Sequence, residues 1–319
     1  MPKPIHRVTT IVRAVEPVSE GVLAFELADP DDWELPPFTP GAHIDVHVPD
    51  GPVRQYSLWG DPAERTRYRI AVKREDAGRG GSVGLHRGLA TGAHVLVSLP
   101  RNHFPLRPGP RHVMVAAGIG ITPFLSMMPE LDRRGEPFIL HYGSRTPATT
   151  PFLDRLAPRA ARGEVRHYFS QGERPARLDL ASIFAEAEDD AQVYCCGPLP
   201  LLREALRVGG PVLTERLHVE LFGGEGLTDA PSDPDYTIEL ARSGRRIAVP
   251  RGQTMLAVLR EAGIDMPASC EGGVCLECKT RYLAGAPLHR DLTMPATDRS
   301  AFLTPCVSGC SGGTIVLDL

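Results

Sequence analysis

Four cysteines set the tightest limit on this chain. Cys270, Cys275 and Cys278 share one glycine-bearing loop, Cys270-Glu-Gly-Gly-Val-Cys275-Leu-Glu-Cys278, and Cys306 lies downstream. Three thiolates from a single loop can wrap two iron atoms, and a distant fourth closes the cage. C-x4-C-x2-C followed by a remote cysteine is the spacing of a plant-type [2Fe–2S] centre. A structural zinc site is the main rival, but its ligands usually come as C-x2-C with a second C-x2-C or a histidine pair. Spacing alone does not choose between Cys306 and Cys310 as the fourth ligand.

A cluster needs a supply of electrons, and the chain is long enough to carry one. Its 319 residues allow two or three domains, each with its own core. A formal net charge of −4 argues against a nucleic-acid partner. No apolar run reaches the roughly 18 residues of a membrane span. The start, Met1-Pro-Lys-Pro-Ile-His-Arg7, lacks the apolar core of a secretory signal. The expected compartment is therefore the cytoplasm, where seven cysteines point to a metal or redox site rather than a disulfide framework.

Residues 1–105 carry short stretches rich in branched and aromatic residues, at 8–15, 22–27, 43–48, 54–59, 68–73 and 94–99, split by Gly, Pro and Asp turns. This pattern predicts an antiparallel β-barrel. Within it, Arg54-Gln-Tyr56-Ser57-Leu58 sets Arg54, Tyr56 and Leu58 on one face of a strand and Ser57 on the other. An aromatic that can lie against an isoalloxazine ring then sits beside a fixed cation. Further on, Gly78-Arg79-Gly80-Gly81-Ser82 leads into a short apolar helix pattern, so backbone N–H groups with Ser82 and Arg79 form a natural phosphate cradle. Taken as a pair, the two segments resemble the flavin domain of the ferredoxin-NADP reductase superfamily.

Over residues 106–226 the period changes to alternating strands (112–117, 137–142, 164–169, 191–196) and helices (123–134, 150–162, 180–187, 199–208). That alternation predicts an α/β domain with a parallel sheet, whose ligands sit at the carboxyl ends of the strands. One such end is Ala117-Gly118-Ile-Gly120-Ile-Thr122-Pro123, where a pyrophosphate can meet free N–H groups at a helix start. Another is Tyr194-Cys195-Cys196-Gly197-Pro198; Cys196 is placed to touch a nicotinamide ring and Cys195 points to the opposite face. Ser144 and Arg145 end a third strand and are candidate contacts for the cofactor's phosphates or adenosine.

Residues 227–234 form a polar, proline-rich linker, and 235–319 follow as strand, turn, strand, apolar helix and cysteine loop. This is the arrangement of a small α+β, β-grasp ferredoxin domain. Barrel, nucleotide domain and C-terminal ferredoxin, in that order, resemble the phthalate dioxygenase reductase family, which includes the vanillate O-demethylase reductases. The resemblance rests on Arg54-x-Tyr56-Ser57-Leu58, Gly118-Ile-Gly120-Ile-Thr122-Pro123, Cys196-Gly197-Pro198 and the four cysteines.

The resemblance implies FMN, NADH as donor, and a monomeric reductase passing electrons to a terminal oxygenase. A Rieske oxygenase is the usual acceptor; a cytochrome P450 or other haem oxygenase is the alternative, as is a self-contained flavin or ferric reductase. It adds Lys73 and Gly81 to the flavin contacts, Thr122 beside Cys196 at the nicotinamide, and Phe222 as a cap on the flavin face. It also favours Cys306 over Cys310 through Pro305-Cys306-Val307-Ser308. Two departures stand out. Leu276 occupies a place where the family has Gly or another small residue, which implies altered hydrogen bonding to the cluster, an apolar docking contact, or no effect. After the third strand of the nucleotide domain, Glu173 is placed for the ribose hydroxyls of NADH, whereas Ser170 with Arg174 or Arg145 suits the 2′-phosphate of NADPH.

Overall fold

The structure, a computed structural model, describes residues 7–48, 51–78, 80–222 and 233–319. The chain forms two compact units, Met1–Glu220 and Leu221–Leu319. Among the described residues no helix is long and apolar enough to cross a membrane.

The first unit begins with strands β1 (Arg7–Ser19), β2 (Val22–Ala28), β3 (His43–His47), β4 (Val53–Ser57) and β5 (Tyr68–Lys73), then helix α1 (Gly81–Gly88) and strand β6 (His94–Ser98). They form one sheet in the order β4-β3-β6-β1-β2-β5, antiparallel throughout. The backbone N–H of Trp59, just past β4, donates to the Arg69 carbonyl of β5 at 2.9 Å, tying the two edge strands into a barrel. Alternate residues fill its interior: Val12, Phe25, Leu27, Ile44, Val46, Ile70 and Val97 are buried in one cluster, and Leu85 of α1 plugs it.

The same unit continues with β7 (His112–Ala117), α2 (Thr122–Arg134), β8 (Phe138–Ser144), α3 (Leu153–Ala161), β9 (Val165–Phe169), α4 (Leu180–Ala185), β10 (Gln192–Gly197), α5 (Leu199–Leu213) and β11 (Leu217–Leu221). The sheet order is β11-β10-β7-β8-β9, with β10, β7, β8 and β9 parallel. Two helices depart from the expected bounds by three residues or more. Helix α3 starts at Leu153 rather than at residue 150, because Phe152 is held left-handed (φ 61°) with its ring 4.8 Å from that of Trp59. Helix α5 runs through Gly209 and Gly210, since a glycine at 209 lets the helix close on Phe184 and Leu217; a Cβ there would lie 2.9 and 3.0 Å from them. The border expected at 105/106 runs inside this unit, where the Gly41 N–H donates to Ser126 Oγ at 3.0 Å and the Phe152 N–H to the Val18 carbonyl at 3.2 Å.

The second unit contains β12 (Tyr236–Leu240), β13 (Arg246–Val249), α6 (Met255–Glu261), β14 (Thr280–Ala284), β15 (Pro287–Leu288), β16 (Phe302–Leu303), β17 (Gly309–Cys310) and β18 (Gly313–Leu317). The main sheet runs β13-β12-β18-β14-β16, with β12 and β18 parallel at its centre, and β15 pairs with β17 beside it. Thr254 caps α6 by accepting the Ala257 N–H at 3.1 Å. The helix buries Met255, Leu256, Val258 and Leu259 against Ile238 and Ile315. Of the expected linker only Asp233 and Pro234 fall within the described residues.

Candidate functional site

The two flavin motifs, more than twenty residues apart, meet. A Cβ added to Gly81 would lie 2.8 Å from Cγ and 2.9 Å from Nε of Arg54, so the arginine stem lies across the start of α1 in the space that this glycine leaves. That helix has no side-chain cap and no acidic residue in its first turn, and Gly80 enters it left-handed at φ 81°. Free N–H groups beside a cation suit a phosphate. Glu75 closes this corner: its N–H donates to Ser82 Oγ at 3.0 Å, and its carboxylate pairs with Lys73. Tyr56 is half-buried against the barrel core, and burial pushes its phenol above the ordinary range. Leu58 and Ser57 are buried. Arg79 lies outside the described residues.

In the sheet of the nucleotide region, β7 and β10 are neighbours whose next strands run to opposite sides, β8 on one and β11 on the other. Their carboxyl ends therefore flank the topological switch point, where an open α/β sheet leaves a crevice. The chain leaves β7 in one turn of 3-10 helix, Gly118–Ile121, and α2 begins at Thr122 with Pro123 in its first turn. Gly118 is left-handed (φ 55°), its carbonyl accepting the Tyr142 hydroxyl at 2.9 Å. Gly120 is required by space: a Cβ there would sit 2.4 Å from the Cys196 carbonyl oxygen and 2.9 Å from Gly197 Cα. The Thr122 hydroxyl donates to the Ile119 carbonyl at 3.1 Å.

Cys195 and Cys196 are both fully buried. Burial, and then the Glu220 carboxylate 3.9 Å from the sulfur, push the Cys196 thiol well above its ordinary range. It stays protonated near neutrality and cannot be a thiolate nucleophile. Glu220 is the site residue that sequence reasoning missed; it sits inside the strand pattern of β11, and only its neighbour across the sheet marks it. Ser144 shares a hydrogen bond of 2.6 Å with Thr150. The ends of β8 and β9 stay paired through Ser144 with Ser170 and Arg145 with Gln171, both 2.9 Å, which carries exposed Arg145 alongside the segment bearing exposed Glu173 and Arg174. Phe222 follows β11 and is half-buried.

The four cluster cysteines stand as two pairs. The Cys275 N–H donates to Cys270 Sγ at 3.3 Å and the Cys270 N–H to Cys275 Sγ at 3.5 Å; Cys278 Sγ lies 3.3 Å from Cys306 Sγ. Cys270 acts electrostatically on the thiols of both Cys278 and Cys306. Among the described residues no group of three or more His, Cys, Asp or Glu side chains is gathered closely enough to hold a single metal ion, and the four cysteines stand as two sulfur pairs. The Gly272 N–H also points at Cys270 Sγ, at 3.3 Å. Within the pair Cys275 and the inward N–H groups draw the Cys270 thiol down, while Cys270 and burial push the Cys275 thiol up, so Cys275 keeps the shared proton. Such N–H groups stabilise thiolate, the form that binds iron. Gly273 is forced by both conformation (φ 69°) and space, since a Cβ would sit 2.7 Å from Val307. Cys310 lies elsewhere: it is buried in β17, its thiol donating to the Gly312 carbonyl at 3.2 Å. All seven cysteines are free.

A family signature described as "2Fe-2S iron-sulfur cluster binding domain" matches residues 238–310. The chain is 41% identical to the tert-butanol monooxygenase / tert-amyl alcohol desaturase reductase subunit of Aquincola tertiaricarbonis, covering 97% of this chain and 95% of that protein. It is also 41% identical to the heme-dependent oxidative N-demethylase beta subunit of Ectopseudomonas mendocina, over 89% of this chain and 90% of the other. Among solved structures it is similar to phthalate dioxygenase reductase, described as a modular structure for electron transfer from pyridine nucleotides to [2Fe–2S], with a TM-score of 0.75 and 38% identity over 98% of both chains. Barrel, switch-point crevice and paired cysteines thus occur in the order of that relative, and this chain belongs to the phthalate dioxygenase reductase family.

Proposed function

We propose that the protein is the reductase component of an oxygenase system, moving electrons from NADH by way of FMN to a [2Fe–2S] centre and on to a separate oxygenase. The observation that carries this reading is the pairing of Cys270 with Cys275 and of Cys278 with Cys306 under a set of inward N–H groups. A flavin supplies the conversion between a two-electron donor and a one-electron acceptor. Arg54, Tyr56, Ser57, Leu58, Lys73, Gly81 and Ser82 hold FMN, with the phosphate at the start of α1. Gly118, Gly120, Thr122 and Pro123 take the pyrophosphate of the nucleotide, and Cys196 and Gly197 flank its nicotinamide. Ser144, Arg145 and Glu173 reach the adenosine half, and Phe222 covers the flavin face. Electron transfer here needs no general acid or base, so these side chains act by positioning and by keeping water out. Cys196 fits that role because burial and Glu220 keep it a neutral thiol.

Two alternatives set the test. A haem oxygenase in place of a Rieske oxygenase is favoured by the similarity to a heme-dependent N-demethylase subunit. NADPH in place of NADH is the reading that Arg145 and Arg174 support. Anaerobic NADH is expected to bleach both flavin and cluster, and removal of the flavin to leave the cluster oxidised. Rapid cluster reduction without flavin, or tighter apparent binding of NADPH, overturns the corresponding part. Work as a cytoplasmic monomer completes the proposal, and sedimentation of the holoenzyme checks the monomer.

A further inference from the structure

Neither ligand-bearing stretch lies in a strand or helix: Cys270 to Cys278 form one loop, and Cys306 sits in a turn. Their shielded carbonyls therefore need partners from outside the sheet. The segment between β15 and β16 supplies them. The Leu292 N–H donates to the Gly273 carbonyl at 2.9 Å, the Thr293 hydroxyl to the Val274 carbonyl at 2.6 Å, and the Arg290 guanidinium to the Val307 carbonyl at 3.2 Å. Gly273 and Val274 lead into Cys275, and Val307 follows Cys306. The segment is itself anchored. Asp291 is buried, and its Oδ2 accepts the Met294 N–H at 3.2 Å and the Arg299 guanidinium at 3.0 Å. A Cβ at Gly273 would lie 2.9 Å from Asp291 Cα, so segment and loop are in contact.

A trans peptide unit is planar, so its C=O and N–H point in opposite directions. Whatever grips the carbonyl aims the N–H of the next residue. In the Val274–Cys275 unit the carbonyl is taken by Thr293, and the N–H reaches Cys270 Sγ at 3.3 Å. In the Gly273–Val274 unit before it the carbonyl is taken by Leu292, and the Val274 N–H bears on the same sulfur. Two successive peptides are thus held from one side and directed at one ligand on the other. The grip of Leu292 comes from its backbone and is indifferent to its side chain. The grip of Thr293 comes from a hydroxyl, and one substitution removes it without touching the loop.

We propose that Thr293 is a positioning residue for the iron–sulfur centre: its hydroxyl holds the Val274–Cys275 peptide so that the Cys275 N–H is directed at Cys270 Sγ, and so raises the centre's reduction potential. The inference rests on the electron-transfer reading above. Thr293 touches neither a ligand sulfur nor iron and acts only through the peptide that it grips. A hydrogen bond to a ligand sulfur offsets negative charge, of which the reduced centre carries more than the oxidised one. An aligned N–H therefore favours the reduced state, and a peptide free to turn gives up that preference.

The test uses the full-length holoenzyme and Thr293→Val, which keeps the branched shape and removes the hydroxyl. The cluster's midpoint potential is expected to shift to more negative values, the g values of its reduced EPR spectrum to change, and iron to pass to a chelator about tenfold faster. Thr293→Ser, which keeps the hydroxyl, is expected to match wild type in all three. Where Thr293→Val holds no cluster, Thr293→Ala takes the same readings; a cluster lost from both, with the flavin spectrum intact and Thr293→Ser normal, is the limit of the same effect. An unchanged potential and EPR spectrum without the hydroxyl overturn the proposal even if the thermal midpoint falls, because the residue would then only support the fold. So does a Thr293→Ser protein that behaves like Thr293→Val. Wild-type protein without the EPR signal of a reduced [2Fe–2S] centre would instead overturn the electron-transfer reading itself.

Discussion

Cys196 and Cys270 are both largely shielded from water, yet their surroundings act in opposite directions. Around Cys196 burial comes first and a carboxylate second, and both hold the proton on sulfur. Around Cys270 a partner thiol and N–H groups from its own loop outweigh burial and draw the proton off. Burial alone makes a cysteine an inert small hydrophobe; a second thiol within reach lets a pair share a proton, drawn off Cys270 and held on Cys275. One chain thus uses the same side chain as packing at the end of β10 and as half of a sulfur pair in the cysteine loop.

The sharpest way to break this contrast lies in the pair Cys306 and Cys310, both buried, one beside Cys278 and one hydrogen-bonded to Gly312. Cys306→Ser is expected to abolish the visible absorption of the cluster and nearly all cytochrome c reduction, with flavin-mediated dye reduction intact. Cys310→Ser should keep the cluster spectrum. The reverse pattern of spectra would move the fourth ligand to Cys310. Next in size is Gly120→Ala. With the added carbon 2.4 Å from the Cys196 carbonyl, the start of α2 must shift by a large part of an ångström, and kcat/KM for NADH should fall about 100-fold. The cluster spectrum should not change, because the cysteine loop belongs to the other unit.

The barrel, the parallel sheet and the ferredoxin arrangement were legible because each has its own hydrophobic period and its own turns. Contacts across the chain were not. Nothing in the spacing of Arg54 and Gly81 says that the arginine stem lies on the glycine, and the pairing of Glu220 with Cys196 joins two strands that each read as core. Local backbone conformation was equally hidden where a side chain argues against it. Phe152 looks like part of a helix that in fact starts at Leu153, and Leu276 stands out as a departure from the family without showing that its φ is positive. Cys306 and Cys310 could be ranked by family resemblance but not by spacing, since the choice depends on which one the sheet swallows.

A smaller effect sharpens the comparison through pH. Cys195 and Cys196 have thiols raised by burial, so above the unfolded value of about 8.5 the unfolded chain releases protons that the folded protein keeps. Stability therefore falls as pH rises beyond that point, by about 1.4 kcal/mol per pH unit for each thiol. Urea midpoints of wild type and of Cys195→Ala/Cys196→Ala between pH 8 and 10 check the sign: the double variant should lose less over that range. Iodoacetamide should also fail to label either cysteine in the native protein at pH 8.

The smallest effect separates backbone from side chain at the cysteine loop. Arg260 pairs with Glu271 at 2.6 Å, but the two side chains are 43% and 33% exposed, so solvent screens the pair and its worth is about 0.5 kcal/mol or less. Arg260→Gln should shift the thermal midpoint by about a degree or less and leave the cluster absorption and its loss rate to a chelator unchanged. The loop would then be held by what its backbone donates to sulfur and by Gly273 seated on Val307. A cluster that bleeds iron in Arg260→Gln would reverse that order, because it would make a surface ion pair, and not the inward N–H groups, the feature that distinguishes Cys270 from Cys196.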